Sequence, residues 1–467
     1  MEKVKNTKKQ NTVLMAAMST AFITSFAGSA LTLSVPAMGD YFHLGATSVG
    51  WIISIYTIVV AAFSVPMGKI ADSTSHRTLL LTGVSIFIIT CGLALFCTKG
   101  WMIIAVRAIQ SLGASMIFAT NVPIALSAFP PERRGQTIGI VTSGTYLGLS
   151  LGPVLGGIIN THFSWRGVFV FAGLMGAFAL FNALRGVDKE PIKTKKFAQD
   201  VKGNILYIFM VSCLIYGLTT LNSSKLGWAF MVAGLILAIA FVRAELSVDN
   251  PMMDVRLFAE NKVFTLSNIT AFFHYSTTFA LSYLVSIYLQ VVMGFSSQIA
   301  GFILISQPLF MAVLSPKMGK LSDKVAAYKL VTGGLILSTM TLLFFGFASY
   351  HTSMIAVCLF LCMAGVGTAL FSSPNTNIVM GCVPPSKFGV TNSLLSAVRT
   401  TGQSFSMAVI TLVVSMNIGN ISLYETEPDQ LLKTMHMAFF IFTAMLIAGI
   451  FMSVQRGNTQ HKGGPKK

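Results

Sequence analysis

The chain has 467 residues, 54% of them hydrophobic and only 10% charged, with mean hydropathy +0.73 and formal net charge +17. A soluble globular domain is roughly a quarter charged, so this composition excludes a soluble multi-domain protein. Lipid cannot satisfy exposed backbone groups, and the chain must therefore cross the bilayer as helices.

At about 20 apolar residues per crossing, the hydropathy pattern predicts fourteen spans. They cover 12–37, 48–68, 78–97, 101–127, 137–160, 167–184, 203–221, 226–245, 263–288, 297–316, 328–348, 353–373, 389–416 and 435–454. The segment before Thr12 resembles the start of a signal peptide, but the apolar run to Ala37 is too long for one and reads as an uncleaved first helix. Sorted by loop, 26 Lys and Arg fall on the side of both termini and 4 on the other, with Arg107 and Arg399 inside spans. This is the positive-inside pattern. It predicts cytoplasmic termini in a cell membrane, and it makes the net charge topogenic, so nucleic acid is not an expected partner. The six cysteines lie in or beside spans with neither metal-site nor disulfide spacing, and no cofactor is expected.

The resulting organisation is a cytoplasmic tail (1–11), a six-helix bundle (12–184), a basic linker (185–202), a transmembrane hairpin (203–245), a second six-helix bundle (263–454) and a cytoplasmic tail (455–467). The bundles repeat one another. Gly68, Lys69 and Asp72 after the second span return as Gly319, Lys320 and Asp323, offset by 251 residues. Asn121, Pro130, Pro131 and Gly135 return as Asn375, Pro384, Pro385 and Gly389, offset by 254. Parallel six-helix repeats are a carrier architecture, with the substrate site between the halves near the midplane.

No span carries an acidic residue in its interior. At 1.5 Å per residue, His274 and Arg399 fall ~15–17 Å from the cytoplasmic face, and Arg107 lies nearer the outside. A charge at the centre of a membrane helix costs ~2.5–3.5 kcal/mol on insertion scales. These residues, with Asn121, Tyr146 and Asn375, are the candidates for substrate binding or coupling. His274 is the candidate proton carrier, because imidazole titrates near neutrality. A hydrogen-bonded core histidine is the equal alternative. Arg399 could attract an anionic headgroup or bond helix-end carbonyls.

Three motifs resemble the major facilitator superfamily, and within it the fourteen-helix drug/proton antiporter branch. Gly68-Lys69-Ile70-Ala71-Asp72 with His76-Arg77 is similar to the family's loop signature. Gly144, Gly148, Gly152-Pro153, Gly156 and Gly157 along the fifth span are similar to the antiporter motif. Arg107, Gln110 and Gly113 match a third in part, with Ser111 in place of a glycine. The resemblance implies an all-α integral membrane protein with a major facilitator fold, two six-helix repeats plus an inserted two-helix hairpin. It implies an alternating-access exporter of amphiphilic compounds, not an enzyme, acting as a monomer with protons as coupling ion. Asp72 is expected to accept charge-assisted hydrogen bonds from Arg77, Arg133 or Arg134, with Asp323 as its repeat mate. In the first span Ala27 stands at the branch's acidic position and Thr32 at its Asn position, so cation recognition and proton carriage there do not carry over. Export of an anionic or neutral metabolite or lipid-like compound is therefore an alternative, and a non-cycling sensor is another.

Overall fold

The computed structural model describes residues 2–44, 46–188, 200–221, 225–249, 251–418 and 427–462. Most of the expected basic linker, 189–199, lies outside the described residues, as do 463–467 of the C-terminal tail and the side chain of Thr32.

Among the described residues every regular element is a helix. The first half comprises α1 (Glu2–Ser29), α2 (Val35–Phe42), α3 (Ala46–Ser73), α4 (His76–Ala94), α5 (Gly100–Ser127) and α6 (Arg134–Gly186). Next come α7 (Val201–Thr220), α8 (Lys225–Ser247) and the short α9 (Arg256–Glu260). The second half comprises α10 (Lys262–Ile287), α11 (Ser297–Leu304), α12 (Ser306–Ser322), α13 (Ala327–Gly346), α14 (Met354–Gly381), α15 (Phe388–Asn417) and α16 (Pro428–Lys462). Among the described residues, twelve segments are long and apolar enough to cross a membrane.

Element boundaries depart from the hydropathy reading at four places. The first span is not one helix to residue 37. A 3-10 turn at Ala30–Leu33 separates α1 from α2, whose first turn carries Pro36. Proline has no N–H for the preceding turn and is suited to a helix start. The fifth and sixth spans are two helical segments of α6 that meet at a kink, non-helical Ser164 with φ 68° and ψ 166°, with no longer connection between them. The tenth span is divided at Ile305 between α11 and α12. Finally, α16 continues through Arg456, which the hydropathy pattern assigns to a solvated tail.

Buried apolar residues form one cluster within 13–187 and another within 271–446, giving each half its own core. A third cluster lies where α3, α7 and α15 meet. Between the halves, α3 packs along α15 and α6 along α12. Inside each half the repeat is visible as reciprocal close approaches. A methyl on Gly83 would lie 2.8 Å from the Gly113 carbonyl, and one on Gly367 would lie 2.8 Å from the Gly334 carbonyl.

The glycine face of α6 lies against α1. A methyl on Gly144, Gly148 or Gly156 would collide with the carbonyl of Met18, Phe22 or Ala30, and one on Gly152 with Ser29 Oγ. Ser29 Oγ donates to the Gly148 carbonyl at 3.1 Å, a contact open only to helices this close. The Gly157 carbonyl accepts the Thr161 hydroxyl at 2.9 Å. Pro153 lies within α6 without ending it. Gly148→Val is expected to cost about 1–3 kcal/mol through overpacking, read as a lowered midpoint in a thermal-unfolding assay of detergent-purified protein. Gly333→Ala, where an added methyl meets nothing within 4 Å, is expected to leave that midpoint in place.

Candidate functional site

Two carboxylates join the halves, each at a helix end of the opposite half. The Pro384–Lys387 turn leaves the first amides of α15 without helical acceptors. Asp72, on the last turn of α3, accepts from Gly389 N at 2.8 Å and Val390 N at 2.9 Å. In the repeat-related position Asp323, which caps α12, accepts from Gly135 N at 2.7 Å and Gln136 N at 2.9 Å at the start of α6. The positive end of each helix dipole favours the anion.

Arginine as the partner of Asp72 is therefore corrected. Arg77 Nε donates instead to the Val187 carbonyl at 2.9 Å. Arg134 Nε donates to Asn377 Oδ1 at 2.7 Å, and Asn377 Nδ2 reaches Asp323 Oδ1 at 3.3 Å. His76 Nε2 lies 3.1 Å from Asp72 Oδ1. The free amides of a helix terminus fit a carboxylate without fixing a long arginine side chain, which accounts for the choice. The glycines make the approach possible. A methyl on Gly68 would lie 2.6 Å from the Gly389 carbonyl, and one on Gly135 would lie 2.7 Å from Asp323 Oδ1. Gly319 would collide in the same way with the Gly135 carbonyl.

Three arginines within the bundles, Arg107, Arg456 and Arg399, occupy different environments. Arg107, 1% exposed, donates from Nη1 to Gln110 Oε1 at 2.6 Å and from Nε to the Ile52 carbonyl at 3.4 Å. Its guanidinium lies 4.4 Å from the Tyr56 ring centroid, and Tyr56 OH donates to the Thr24 carbonyl at 2.8 Å. Arg107 is thus part of the first half's core. Arg456 is 0% exposed and donates to Ser267 Oγ at 2.8 Å, Asn375 Oδ1 at 2.9 Å and Ser453 Oγ at 3.1 Å. Sequence reasoning missed it because an Arg near a C-terminus normally reads as a solvated anchor. The Arg-Gly pair shared with Arg185-Gly186 at the end of the first half was the available signal.

Arg399 differs from both. It is half-buried on α15, its guanidinium 5.5 Å from the ring centroid of Phe118 in the other half. Among the described residues no ion pair includes it. It does not bond helix-end carbonyls there. Tyr56 and Tyr146 lie within its electrostatic reach. Tyr146 of α6 packs on Met311 and Ala312 of α12 and is within hydrogen-bonding reach of Ser372, whose Oγ is 3.4 Å from Tyr275 OH. Arg399, Phe118, Tyr56, Tyr146 and Ser372 thus form an aromatic, cationic seam between the halves.

The remaining candidates disperse. His274 is 0% exposed within the second half, stacked on Phe371 with centroids 4.0 Å apart. Its Nε2 is 3.4 Å from Thr278 Oγ1, and Nδ1 has no hydrogen-bond partner among the described residues. Asn121 does lie between the halves, its Oδ1 3.4 Å from Asn392 Nδ2, which also bonds the Phe118 carbonyl. Asn375, its repeat mate, instead holds Arg456 and donates to the Ser267 carbonyl at 3.3 Å.

Ser393 is fully buried beneath the Asp72 contact, 2.7 Å from where a Gly68 methyl would sit. In a cysteine-free background, Ser393→Cys is expected to be alkylated slowly. Hydrogen bonds to charged groups contribute about 1.5–3 kcal/mol, so Asp72→Asn should speed that labelling roughly tenfold or more. An unchanged rate would mean that the carboxylate does not hold the halves together.

The profile of the Major Facilitator Superfamily matches residues 17–247 and 268–466. The riboflavin transporter RibZ of Clostridioides difficile is 26% identical over 447 residues, 96% of this chain and 97% of its own length. Multidrug resistance protein Stp of Mycobacterium tuberculosis is 28% identical, with 82% and 72% covered. Multidrug resistance protein 3 of Bacillus subtilis is 27% identical, with 85% and 76% covered. Among solved structures, the human organic anion transporter MFSD10 superposes with a TM-score of 0.66 at 14% identity, covering 94% of this chain and 99% of that one. Two helical halves joined by repeat-related carboxylate contacts, and a profile matched along nearly the whole chain, make this protein a membrane transporter of the Major Facilitator Superfamily.

Proposed function

We propose that the protein is a secondary active exporter of neutral or anionic amphiphilic compounds, working by alternating access. The observation that carries this is Arg399. It is a cation between the halves with aromatic neighbours, and no carboxylate of the described residues pairs with it. A lipophilic cation entering such a seam would meet a like charge in a medium of low dielectric. An anion or a polarisable ring system would be attracted. A riboflavin transporter among the relatives supports a planar amphiphile as substrate.

In this reading the chain crosses the membrane fourteen times. α6 crosses twice around Ser164. α15 crosses with polar residues such as Thr391, Asn392 and Arg399 turned toward neighbouring helices, which explains why it falls outside the twelve most apolar segments. The halves are 12–184 and 263–454, and the hairpin 203–245 is inserted between them. The face bearing the basic loops is cytoplasmic, as are both termini, and the membrane is the cell membrane. Asp72 and Asp323 then close the cytoplasmic side, and export requires both contacts to break in each cycle. Protons drive the exchange.

A second reading is proton-coupled efflux of cationic drugs, supported by the multidrug resistance proteins among the relatives. Proteoliposomes with an imposed pH gradient separate the two. Riboflavin and a fluorescein-type anion are expected to move and ethidium is not. Arg399→Gln is expected to weaken anion transport by about tenfold or more, as loss of a close charge partner does. Ethidium exchanged for protons as fast as the anion moves would overturn the proposal.

A further inference from the structure

The carboxyls of Asp200 and Glu245 meet where α7 begins and α8 ends. Each gives one oxygen to a backbone amide. Asp200 Oδ1 accepts from Gly203 N at 2.8 Å, capping α7, and Glu245 Oε2 accepts from Met253 N at 3.0 Å. The other two oxygens, Asp200 Oδ2 and Glu245 Oε1, are buried and have no donor among the described residues. Glu245 is 1% exposed, and the two carboxyls are within hydrogen-bonding reach of each other. A methyl on Gly203 would collide with both free oxygens, which fixes where they converge. Two ionised carboxylates this close repel, whereas one shared proton turns the contact into an O–H···O⁻ hydrogen bond.

This pair holds a strap, residues 251–255, that leads from α8 to α9. Glu245 fixes its Met253 amide, and Arg256 Nη2 donates to the Leu246 carbonyl at 2.8 Å. The Pro251 carbonyl accepts from Lys69 Nζ at 2.8 Å, and Asp254 Oδ2 pairs with Lys387 Nζ at 3.1 Å. Lys69 is one turn before Asp72 on α3, and Lys387 immediately precedes α15. The strap thus bridges the two sides of the Asp72–α15 contact.

We propose that Asp200 and Glu245 form a proton-binding site whose single shared proton keeps this strap docked across the two halves. The charged group facing the pair is Lys69 from α3, which itself lies within electrostatic reach of Asp72 and Lys387. Arg243 and Asp249 are exposed on the same side of the sequence. Lys69 favours the ionised pair, but its ammonium is turned to the Pro251 carbonyl, and no ion pair among the described residues includes Asp200 or Glu245. The docked strap holds the pair together and so binds the proton more tightly than the released strap. Its extra stability is complete while the pair is protonated and is lost as pH rises. The site is independent of the substrate.

Hydrogen exchange of the full chain in lipid nanodiscs, corrected for intrinsic rates, tests this. Amide protection over 251–256 is expected to fall by up to roughly tenfold per pH unit above the pair's titration. Glu245→Gln and Asp200→Asn each retain an amide-accepting oxygen and supply a fixed N–H donor to the partner carboxylate. Both are expected to hold protection level across pH and to abolish a titrating protonated-carboxyl band in the infrared spectrum. Asp200→Asn carries the test alone if Glu245→Gln does not fold. Protection independent of pH in the parent, or equally pH-dependent in the variants, would overturn the proposal. So would a dependence on sodium concentration in place of pH, which would mean a metal cation bridging two ionised carboxylates.

Discussion

The first amides of a helix have no partners inside it, and a carboxylate from elsewhere can take them. Here that arrangement occurs twice, with Asp72 on α15 and Asp323 on α6, and each time the carboxylate and the helix end belong to different halves. Everything nearby serves the fit. Gly68 and Gly389, and Gly135 with Gly319, remove side chains that would keep the helices apart. Asn377 links Asp323 to Arg134, adding a polar brace on one side, and His76 lies against Asp72 on the other. Helix-end contacts of this kind are directional and few, so they suit surfaces that must part and rejoin. A broad apolar interface of the same strength would separate less readily.

The internal repeat explains both the symmetry of these contacts and its limits. Asn121 and Asn375 occupy matching positions, yet Asn121 reaches across to Asn392 while Asn375 is held by Arg456 within its own half. Thr145 and Arg399 also match in position, and only the second half places a charge at the seam. Duplication supplied the scaffold, and divergence at single positions made the two faces of the seam chemically unlike.

The sequence was legible where the signal was local. Hydropathy located the helices, and the offset repeats identified the repeat-related glycines and aspartates, though not which helix start of the opposite half each one meets. The glycine face of α6 could be read from its four-residue spacing because helical geometry alone puts those positions together. The partner of Asp72 could not be read, since a backbone amide has no letter of its own and any residue at position 389 or 390 supplies one. Arg456 was obscured for another reason: its burial depends on Ser267 and Asn375, more than 80 residues away in sequence. The break at Ala30–Leu33 falls inside an apolar segment whose hydropathy does not change across it, whereas at Ser164 the hydropathy marks a boundary without showing that a single residue makes the turn. Asp200 and Glu245 each look like an ordinary helix-terminal acid until the hairpin brings them together.

The Asp72 contact also imposes an order on biosynthesis. Its acceptor atoms enter the membrane early, with α3, but the amides of Gly389 and Val390 lie 317 and 318 residues farther along the chain. Until α15 emerges from the ribosome, a half that has its own apolar core carries at its edge a carboxylate that lacks these two amide donors and has His76 of its own half beside it. Asp323 arrives to find the start of α6 already in place, so the second joint can form as soon as α12 is inserted. The two halves are therefore fastened in sequence, first through α6 and α12 and then through α3 and α15. A chain interrupted between these events would display Asp72 without its α15 amides to the machinery that removes incomplete membrane proteins.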